Sequence, residues 1–204
     1  MKLNIPITAE KFTKEFRGIS RDTIIRFNAF TDENEDNFKD RIVFPITNIY
    51  DEIIFFCGRY IYSHLDPKYK IVPSGVKPIL FPQKINPINN SMILVEGLFD
   101  MLNLQDNGLT NAVCSFGTAF GSVRKYQKKK ENLEKLNIYK FQGVTKIYIM
   151  YDGDAPGRKA AEHLEAYIGD KFITEIIYLS QGKDPGSLTK QEIEIFKNDY
   201  YSNN

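Results

Sequence analysis

Two carboxylates one residue apart, Asp152 and Asp154, follow an apolar and aromatic run at residues 147–151. Side chains two positions apart along an extended strand point the same way, so we expect the two carboxylates to converge where the strand ends. A divalent cation is the usual reason for holding like charges together. Asp-Gly-Asp is also an ordinary turn sequence, and only further acids at equivalent places favour the metal interpretation.

A second apolar run, residues 92–95, also ends in an acid, Glu96. The glycine that follows permits a close turn, and the pattern then predicts a helix over 98–107. Asp100 lies four residues after Glu96, so both can face one pocket. Asp100 alone is also explained as an acid favoured near a helix N-terminus. Glu96 has no such explanation, because acids rarely end a fully apolar strand.

A third acid, Asp184, lies in the loop 181–187 that follows the strand-like run 172–179. Asp-Pro-Gly is a common turn and helix-entry sequence, so this loop would mean little by itself. It gains meaning because it again follows a predicted strand. Three strand ends therefore carry acids, which predicts that they meet at one edge of a sheet.

The second half of the chain alternates strands and helices, which predicts an α/β fold with a four-stranded parallel sheet flanked by helices. Between the second strand and its helix, the small-residue loop 115–119 could approach a phosphate with its backbone N–H groups. The predicted strands are 92–96, 111–115, 144–151 and 172–179, and the predicted helices are 98–107, 122–137, 157–168 and 187–198.

These motifs resemble, in order and spacing, the Toprim domain of bacterial and phage DNA primases. Toprim domains also occur in topoisomerases, small-RNA maturases, recombination mediators and nucleases, so the upstream half decides between these families. That half resembles the start of the primase catalytic core, and the similarity extends over about residues 12–190. The segments that carry the resemblance are 17–20, 24–27, 40–46, 57–59, 67–69, 81–84, 96–100, 117–119, 151–157 with Ala160 and Ala161, and 183–185.

The resemblance implies that the acids bind Mg²⁺ or Mn²⁺ and that ribonucleoside triphosphates are joined on a single-stranded DNA template. Glu96 would act as metal ligand or general acid/base, and it would share the catalytic role with Asp152 and Asp154. The family usually has Asp-Pro-Asp where this chain has Asp184-Pro185-Gly186, so one carboxylate is missing. The implied metal ligands are Glu96, Asp100, Asp152, Asp154 and Asp184.

Basic residues in the upstream half resemble the family's contacts to template phosphates or to the incoming nucleotide, a task that suits guanidinium and ammonium groups. Each of them alone would be explained as a solvated strand end. A further run, 124–130, could face DNA, although a charged helix face is more often simply solvated. The basic residues that match the family pattern are Arg41, Arg59, Lys68 and Lys84.

The 204-residue length allows one ordinary domain or two small lobes. We expect a mixed α+β, basic template-binding lobe over 1–90, opening with two short helices before Phe30, and a Toprim catalytic domain over 91–204. A net charge of +1 does not fit a protein that binds nucleic acid over its whole surface. The sequence has neither a long apolar run nor a signal-peptide pattern, so we expect a cytoplasmic protein without a membrane partner, in the bacterial host if phage-encoded.

The cysteines and histidines do not indicate a zinc site. Cys57 and Cys114 each lie in an apolar strand pattern, which predicts buried, reduced thiols. His64 and His163 lack metal-ligand spacing. Bacterial primases normally carry a zinc-binding domain and a helicase-docking region, so we expect a minimal, phage-type primase that works with a separate replicative helicase and a separate zinc-domain protein.

Two other classes of function stay open. A Toprim metal-dependent nuclease would need the acids but not the set of Arg41, Arg59 and Lys68. A single-stranded-DNA-binding replication module that has lost polymerase activity would be compatible with glycine at position 186. The paired halves of the sequence favour the primase over both.

Overall fold

The computed structural model of the protein describes residues 2–62, 64, 66–117 and 126–202, without the side chains of 126–132. The chain divides into two compact units, Met1–Pro78 and Ile79–Asn204. The sequence placed the boundary later, between residues 90 and 91. In the structure, Leu80 and Ile85 lie in the hydrophobic core of the second unit, which explains why residues 79–90 belong to it.

The first unit is built on a five-stranded antiparallel sheet with strand order β1-β2-β3-β4-β5. One helix, α1, precedes β2, whereas the sequence led us to expect two helices before Phe30. Within the described residues 2–30, the prediction of a second helix is wrong. A two-residue strand is too short to produce an alternating pattern, which explains the error. The elements are β1 Glu10–Lys11, α1 Arg21–Arg26, β2 Phe30–Thr31, β3 Arg41–Thr47, β4 Ile53–Tyr60 and β5 Tyr69–Val72.

Aromatic rings form the core of the first unit. Phe30, Phe38 and Phe56 pack edge to face, with ring centroids 5.2 to 5.8 Å apart. Val43 on β3 completes the cluster. The register pairs Val43 with Gly58, and this pairing fixes which side chains of the β3–β4 hairpin reach the core.

The second unit contains a four-stranded parallel sheet with strand order β7-β6-β8-β9, so the predicted α/β fold class is confirmed. Each strand is followed by a helix, and a 3-10 turn at Pro185–Ser187 precedes the last helix. The elements are β6 Ser91–Val95, α2 Leu98–Asp106, β7 Ala112–Cys114, α3 Tyr126–Phe141, β8 Lys146–Ile149, α4 Ala155–Ile168, β9 Ile173–Ile176 and α5 Lys190–Tyr201.

Two of the strands end earlier than their apolar runs suggested. β8 ends at Ile149 and β9 at Ile176, and the ladder closes with the bond from the Ile177 N–H to the Ile149 carbonyl. Beyond that point the carbonyl of Leu179 accepts a hydrogen bond from the Arg158 guanidinium instead. The apolar residues after Ile177 therefore lie outside the sheet, in the loop that follows β9.

The central strands β6 and β8 are buried on both faces, as their continuous apolar sequences predict. Leu94 pairs with Ile149, so the carboxyl ends of these strands lie side by side. The residues that follow the two strands, Glu96 and Asp152, are thereby brought to the same edge. Within the described residues no helix is long and apolar enough to cross a membrane.

Candidate active site

Glu96 and Asp152 follow adjacent parallel strands, and each has one buried oxygen without a partner. Among the described residues, neither Glu96 Oε1 nor Asp152 Oδ1 has a hydrogen-bond donor. Leaving a buried carboxylate oxygen unpaired is costly, so native proteins rarely do it without a functional reason. A bound cation would compensate both oxygens.

The acids interact strongly enough to change one another's protonation. Burial raises the pKa of Glu96 to about 7, helped by the negative charges of Asp152, Asp100 and Asp154, while the Asp152 backbone N–H opposes the rise. Burial also raises the pKa of Asp152, and the negative charges of Asp184 and Asp154 raise it further. The predicted metal ligands therefore share one region of negative potential at this sheet edge.

Asp100 is the most buried of these acids, and both of its oxygens accept backbone hydrogen bonds. The Gly97 N–H donates to Oδ2 at 2.8 Å, and the Gly186 N–H donates to Oδ1 at 3.1 Å. Burial raises the pKa of Asp100 to about 7 in spite of the Gly97 bond, with the charges of Asp152 and Asp184 adding to the rise. Asp100 thus closes the first turn of α2 and joins it to the 3-10 turn.

Asp154 is exposed and caps α4. Its Oδ1 accepts the Gly157 N–H at 2.7 Å, and proline follows in the first turn of the helix. This part of the chain is packed so closely that a Cβ at Gly157 would overlap the carbonyl of Asp152. The Asp-Gly-Asp-Ala-Pro-Gly sequence is therefore both a helix start and a support for Asp152.

Asp184 is half-buried at the start of the 3-10 turn. The Gly153 N–H donates to the Lys183 carbonyl at 2.8 Å, which holds the loop before Asp184 against the loop after β8. Lys183 in turn donates from Nζ to Glu192 Oε1 at 3.1 Å. These bonds keep Asp184 on the same side of the sheet as Asp152.

Across residues 2–62, 64, 66–117 and 126–202, no group of three His, Cys, Asp or Glu side chains is arranged so that it could hold a metal ion as it stands. The acids are neighbours, but the ligand shell is not assembled. Like charges repel, and Asp100 and Asp154 direct oxygens at backbone N–H groups. The unpartnered oxygens of Glu96 and Asp152 do fit a cation, and carboxylate oxygens suit Mg²⁺ or Mn²⁺.

The phosphate-binding loop predicted at 115–119 is described only in part. Ser115 donates from Oγ to the Val95 carbonyl at 3.2 Å, and the Gly117 N–H donates to the Glu96 carbonyl at 2.9 Å. This loop is thus held against the end of β6. Thr118 and Ala119 lie outside the described residues, as do Arg124 and Lys125 and the side chains of 126–130 in the basic run.

Arg41 is buried, and its guanidinium donates to the protein's own backbone. The acceptors are the carbonyls of Gly58, Pro67 and Lys68, at 3.2 to 3.4 Å. The guanidinium also lies 3.5 Å from the centroid of the Tyr60 ring. A Cβ at Gly58 would lie 3.0 Å from the Arg41 Cδ, so the glycine of the Cys-Gly-Arg segment makes room for this side chain.

The other predicted basic residues are placed differently. The Arg59 guanidinium lies 4.6 Å from the centroid of the Tyr69 ring, and Tyr69 is exposed. Lys68, next to Tyr69, is exposed as well. Lys84 is exposed in the second unit, whereas the other three belong to the first.

Both cysteines are buried and reduced, as predicted. Burial raises the pKa of Cys57 to about 12, against the lowering effect of Arg41 and Arg59, so this thiol is inert. His64 lies beside Tyr62, with ring centroids 6.1 Å apart, and His163 is exposed on α4.

Asn103 was not predicted, although it contacts the turn that carries Asp184. Its side-chain amide donates to the carbonyls of Pro185 at 2.8 Å and Leu188 at 2.9 Å. An asparagine within an amphipathic helix gives no signal in a single sequence. Only the packing of α2 against the 3-10 turn reveals it.

Comparisons with known proteins match both halves of the chain. Residues 6–74 match a family model described as the DNA primase catalytic core, N-terminal domain, and residues 93–189 match a Toprim-like model. The DNA primase of Pseudomonas putida is 32% identical over 179 residues, which cover 81% of this chain and 25% of that protein. The Aquifex aeolicus DNA primase is 32% identical over 165 residues, 76% of this chain and 31% of that protein. The chain thus spans about a quarter to a third of the length of these relatives.

Solved structures agree in fold. The Aquifex aeolicus primase, with its zinc-binding and RNA polymerase domains, superposes with a TM-score of 0.59 and 30% identity over 80% of this chain and 40% of that one. The primase fragment of the bacteriophage T7 primase-helicase has a TM-score of 0.62 over 98% of this chain and 76% of that one, at 20% identity. Toprim domains of primases are in general metal-dependent, which agrees with the unpartnered acids. The chain therefore belongs to the family of DnaG-like primase catalytic cores, with a primase N-terminal core domain followed by a Toprim-like domain.

Proposed function

We propose that this chain is a DNA primase catalytic core, a DNA-directed RNA polymerase that synthesises short RNA primers on single-stranded DNA. The observation that carries the proposal is the pair of unpartnered, buried oxygens on Glu96 and Asp152, at adjacent strand ends of a primase-type Toprim domain. An acid pair without compensation inside a fold of this family is best explained by a cation and by phosphoryl chemistry.

Glu96, Asp152 and Asp184 would hold the divalent cation, with Asp100 and Asp154 adding to the negative potential. Mg²⁺ and Mn²⁺ both suit such oxygen ligands. When bound, the cation would neutralise charge on the nucleotide phosphates and favour ionisation of these carboxylates.

Glu96 is suited to a second task, the transfer of a proton. Without a bound cation, its pKa of about 7 places the carboxyl between its two protonation states at neutral pH. A group with such a pKa can accept the proton of the attacking 3′-hydroxyl and release it afterwards. Burial keeps this pKa high, and the charge of Asp152 next to it at the sheet edge adds to the rise.

Template binding is assigned to the first unit. Arg59, Lys68 and the exposed ring of Tyr69 combine cations with an aromatic face, which suits a single strand with its phosphates and unstacked bases. A DnaG primase catalytic domain of the same fold, 22% identical with a TM-score of 0.62, has been solved bound to single-stranded DNA. Arg41 would act indirectly, by holding the 67–68 backbone that carries Lys68. Lys84 is proposed as a contact to the incoming triphosphate.

One assay tests the proposal against the alternatives. Purified protein is incubated with single-stranded DNA, labelled ribonucleoside triphosphates and either Mg²⁺ or Mn²⁺. We expect short RNA whose sequence follows the template, and none when the template or the metal is left out. Shortened DNA would instead identify a Toprim nuclease. DNA binding without either product would identify a non-catalytic replication module, and both outcomes would overturn the proposal.

A further inference from the structure

The segment that carries Asp184 is held on two sides by groups outside the acid cluster. On one side, the Gly153 N–H donates to the Lys183 carbonyl at 2.8 Å. On the other side, the Asn103 amide donates to the Pro185 carbonyl at 2.8 Å. Asp184 lies between these two anchors, so its position at the sheet edge depends on both.

Asn103 contacts the 3-10 turn at both ends. Its side chain is buried, and Nδ2 donates one hydrogen bond to the Pro185 carbonyl and another to the Leu188 carbonyl at 2.9 Å. These carbonyls belong to the first residue of the turn Pro185–Ser187 and to the residue that follows it. Both hydrogens of the amide are therefore used, and among uncharged side chains only the amides of Asn and Gln supply two donors from one nitrogen.

Gly186 connects the same turn to Asp100. Its N–H donates to Asp100 Oδ1 at 3.1 Å, while Gly97 occupies Oδ2. A Cβ at position 186 would lie 2.7 Å from Asp100 Oδ1, closer than a carbon and an oxygen can approach. A side chain at position 186 would therefore displace Asp100.

We propose that Asn103 and Gly186 are positioning residues, which hold Asp184 near Asp152 so that both can bind a cation. Asp100 then has a structural role that we call the clamp: its two oxygens accept the N–H groups of Gly97 and Gly186 and so join α2 to the 3-10 turn. When a cation binds, its ligands would be Glu96, Asp152 and Asp184, without Asp100. This inference rests on the proposed function, because it assumes that the acids at this sheet edge bind a divalent cation.

The test measures Mn²⁺ affinity by calorimetry on the full chain, without template or nucleotides. Asn103→Leu keeps the side-chain volume and removes both donors. We expect it to weaken Mn²⁺ binding by about 10- to 100-fold, the usual effect of losing a group that orients a metal ligand. Gln105→Leu is the matched control, because Gln105 is buried on the same helix but donates to the Ala112 carbonyl. The control should bind Mn²⁺ as the wild type does.

A double-mutant cycle with Asp184→Asn separates positioning from general destabilisation. If Asn103 acts through Asp184, the double variant should bind Mn²⁺ no more weakly than Asp184→Asn alone. Additive losses would overturn the proposal, and so would equal losses in Asn103→Leu and Gln105→Leu. Because ribonucleotides are absent, failure of primer synthesis would not affect this result.

Gly186→Asp provides an independent arm, because its side chain would start 2.7 Å from Asp100 Oδ1. We expect it to weaken Mn²⁺ binding by about 10-fold, because the new side chain displaces Asp100 and releases the turn. Tighter binding at an unchanged unfolding temperature would mean that position 186 can serve as a ligand, and it would overturn the clamp.

Discussion

The backbone N–H of Gly153 donates to the carbonyl oxygen of Lys183 at 2.8 Å, and this bond joins the loops that carry Asp152 and Asp184. The approach is so close that a Cβ on Gly153 would lie 2.9 Å from the Leu179 carbonyl oxygen and nearer still to that of Ser180. The loops that carry Asp152 and Asp184 are therefore held together by a backbone contact, which is possible because Gly153 has no side chain.

Gly153→Ala should separate these loops. We expect a loss of about 1–3 kcal/mol in the free energy of unfolding, typical of overpacking, together with loss of template-directed RNA synthesis. Urea denaturation and the primer assay measure the two effects. The control is Gly143→Ala at the end of α3, where φ is +89° but no atom lies within 4 Å. This control should lose about 1 kcal/mol from backbone strain and keep its synthesis. Normal activity in Gly153→Ala would contradict the account.

Stability without metal should depend on pH through the buried acids. Glu96 and Asp100 have pKa values of about 7 in the folded chain, against ordinary values of 4.5 and 3.8. A raised carboxyl pKa favours folding when the group is protonated, and this contribution is lost as pH rises through 7. In EDTA, the unfolding temperature should therefore rise from pH 8 to pH 6.

Asp152→Asn removes a like charge from both acids and should flatten this dependence. Added Mg²⁺ should raise the unfolding temperature at pH 8 more than at pH 6, because only ionised carboxylates bind it well. Differential scanning fluorimetry over the pH range measures both effects. An unfolding temperature in EDTA that falls from pH 8 to pH 6 would contradict the raised pKa values of Glu96 and Asp100, and an unchanged slope in Asp152→Asn would contradict their coupling to Asp152.

Arg41 should prove more important for folding than for direct contact with DNA. Arg41→Lys keeps the charge but cannot reach three carbonyls and stack on Tyr60 at once. We expect a loss of about 2–3 kcal/mol in unfolding free energy, from buried charge-assisted hydrogen bonds. Chemical denaturation followed by circular dichroism measures it. Wild-type stability combined with weakened DNA binding would assign Arg41 to the template instead.

Arg59 and Lys68 should show the opposite behaviour. Arg59→Ala and Lys68→Ala should leave folding nearly intact and weaken single-stranded DNA binding for all sequences alike. Each loss of a phosphate contact should reduce the slope of log affinity against log salt by about 0.7. Fluorescence anisotropy at several salt concentrations measures this slope. Lys171→Ala, a change just before β9, is the control and should keep the wild-type slope.

The sequence predicted the acid cluster because the fold of the second unit leaves a local signal. Apolar runs ending at Glu96 and Asp152 require buried parallel strands, and parallel strands bring their carboxyl ends to one edge. The confirmed α/β sheet follows from the same patterns. The grouping of the acids at one sheet edge therefore follows from the sequence pattern.

The remaining features depend on contacts between distant residues, which a single sequence does not display. The buried state of Arg41 depends on the Pro67 and Lys68 carbonyls, and Asn103 gains its role from Pro185 and Leu188. Neither pairing has a periodic pattern. The two-residue strands near the N-terminus were missed for a related reason, because their pairing comes from tertiary contacts rather than local preference.

The most direct test of the central claim compares wild type with Glu96→Gln in template-directed RNA synthesis and in single-stranded DNA binding. The substitution keeps the side chain's shape and removes its charge and its basic oxygen. We predict a loss of about 100- to 10,000-fold in RNA synthesis with near wild-type DNA affinity, while Glu162→Gln, an exposed change on α4, behaves as wild type. RNA synthesis by Glu96→Gln at the wild-type rate would contradict the account.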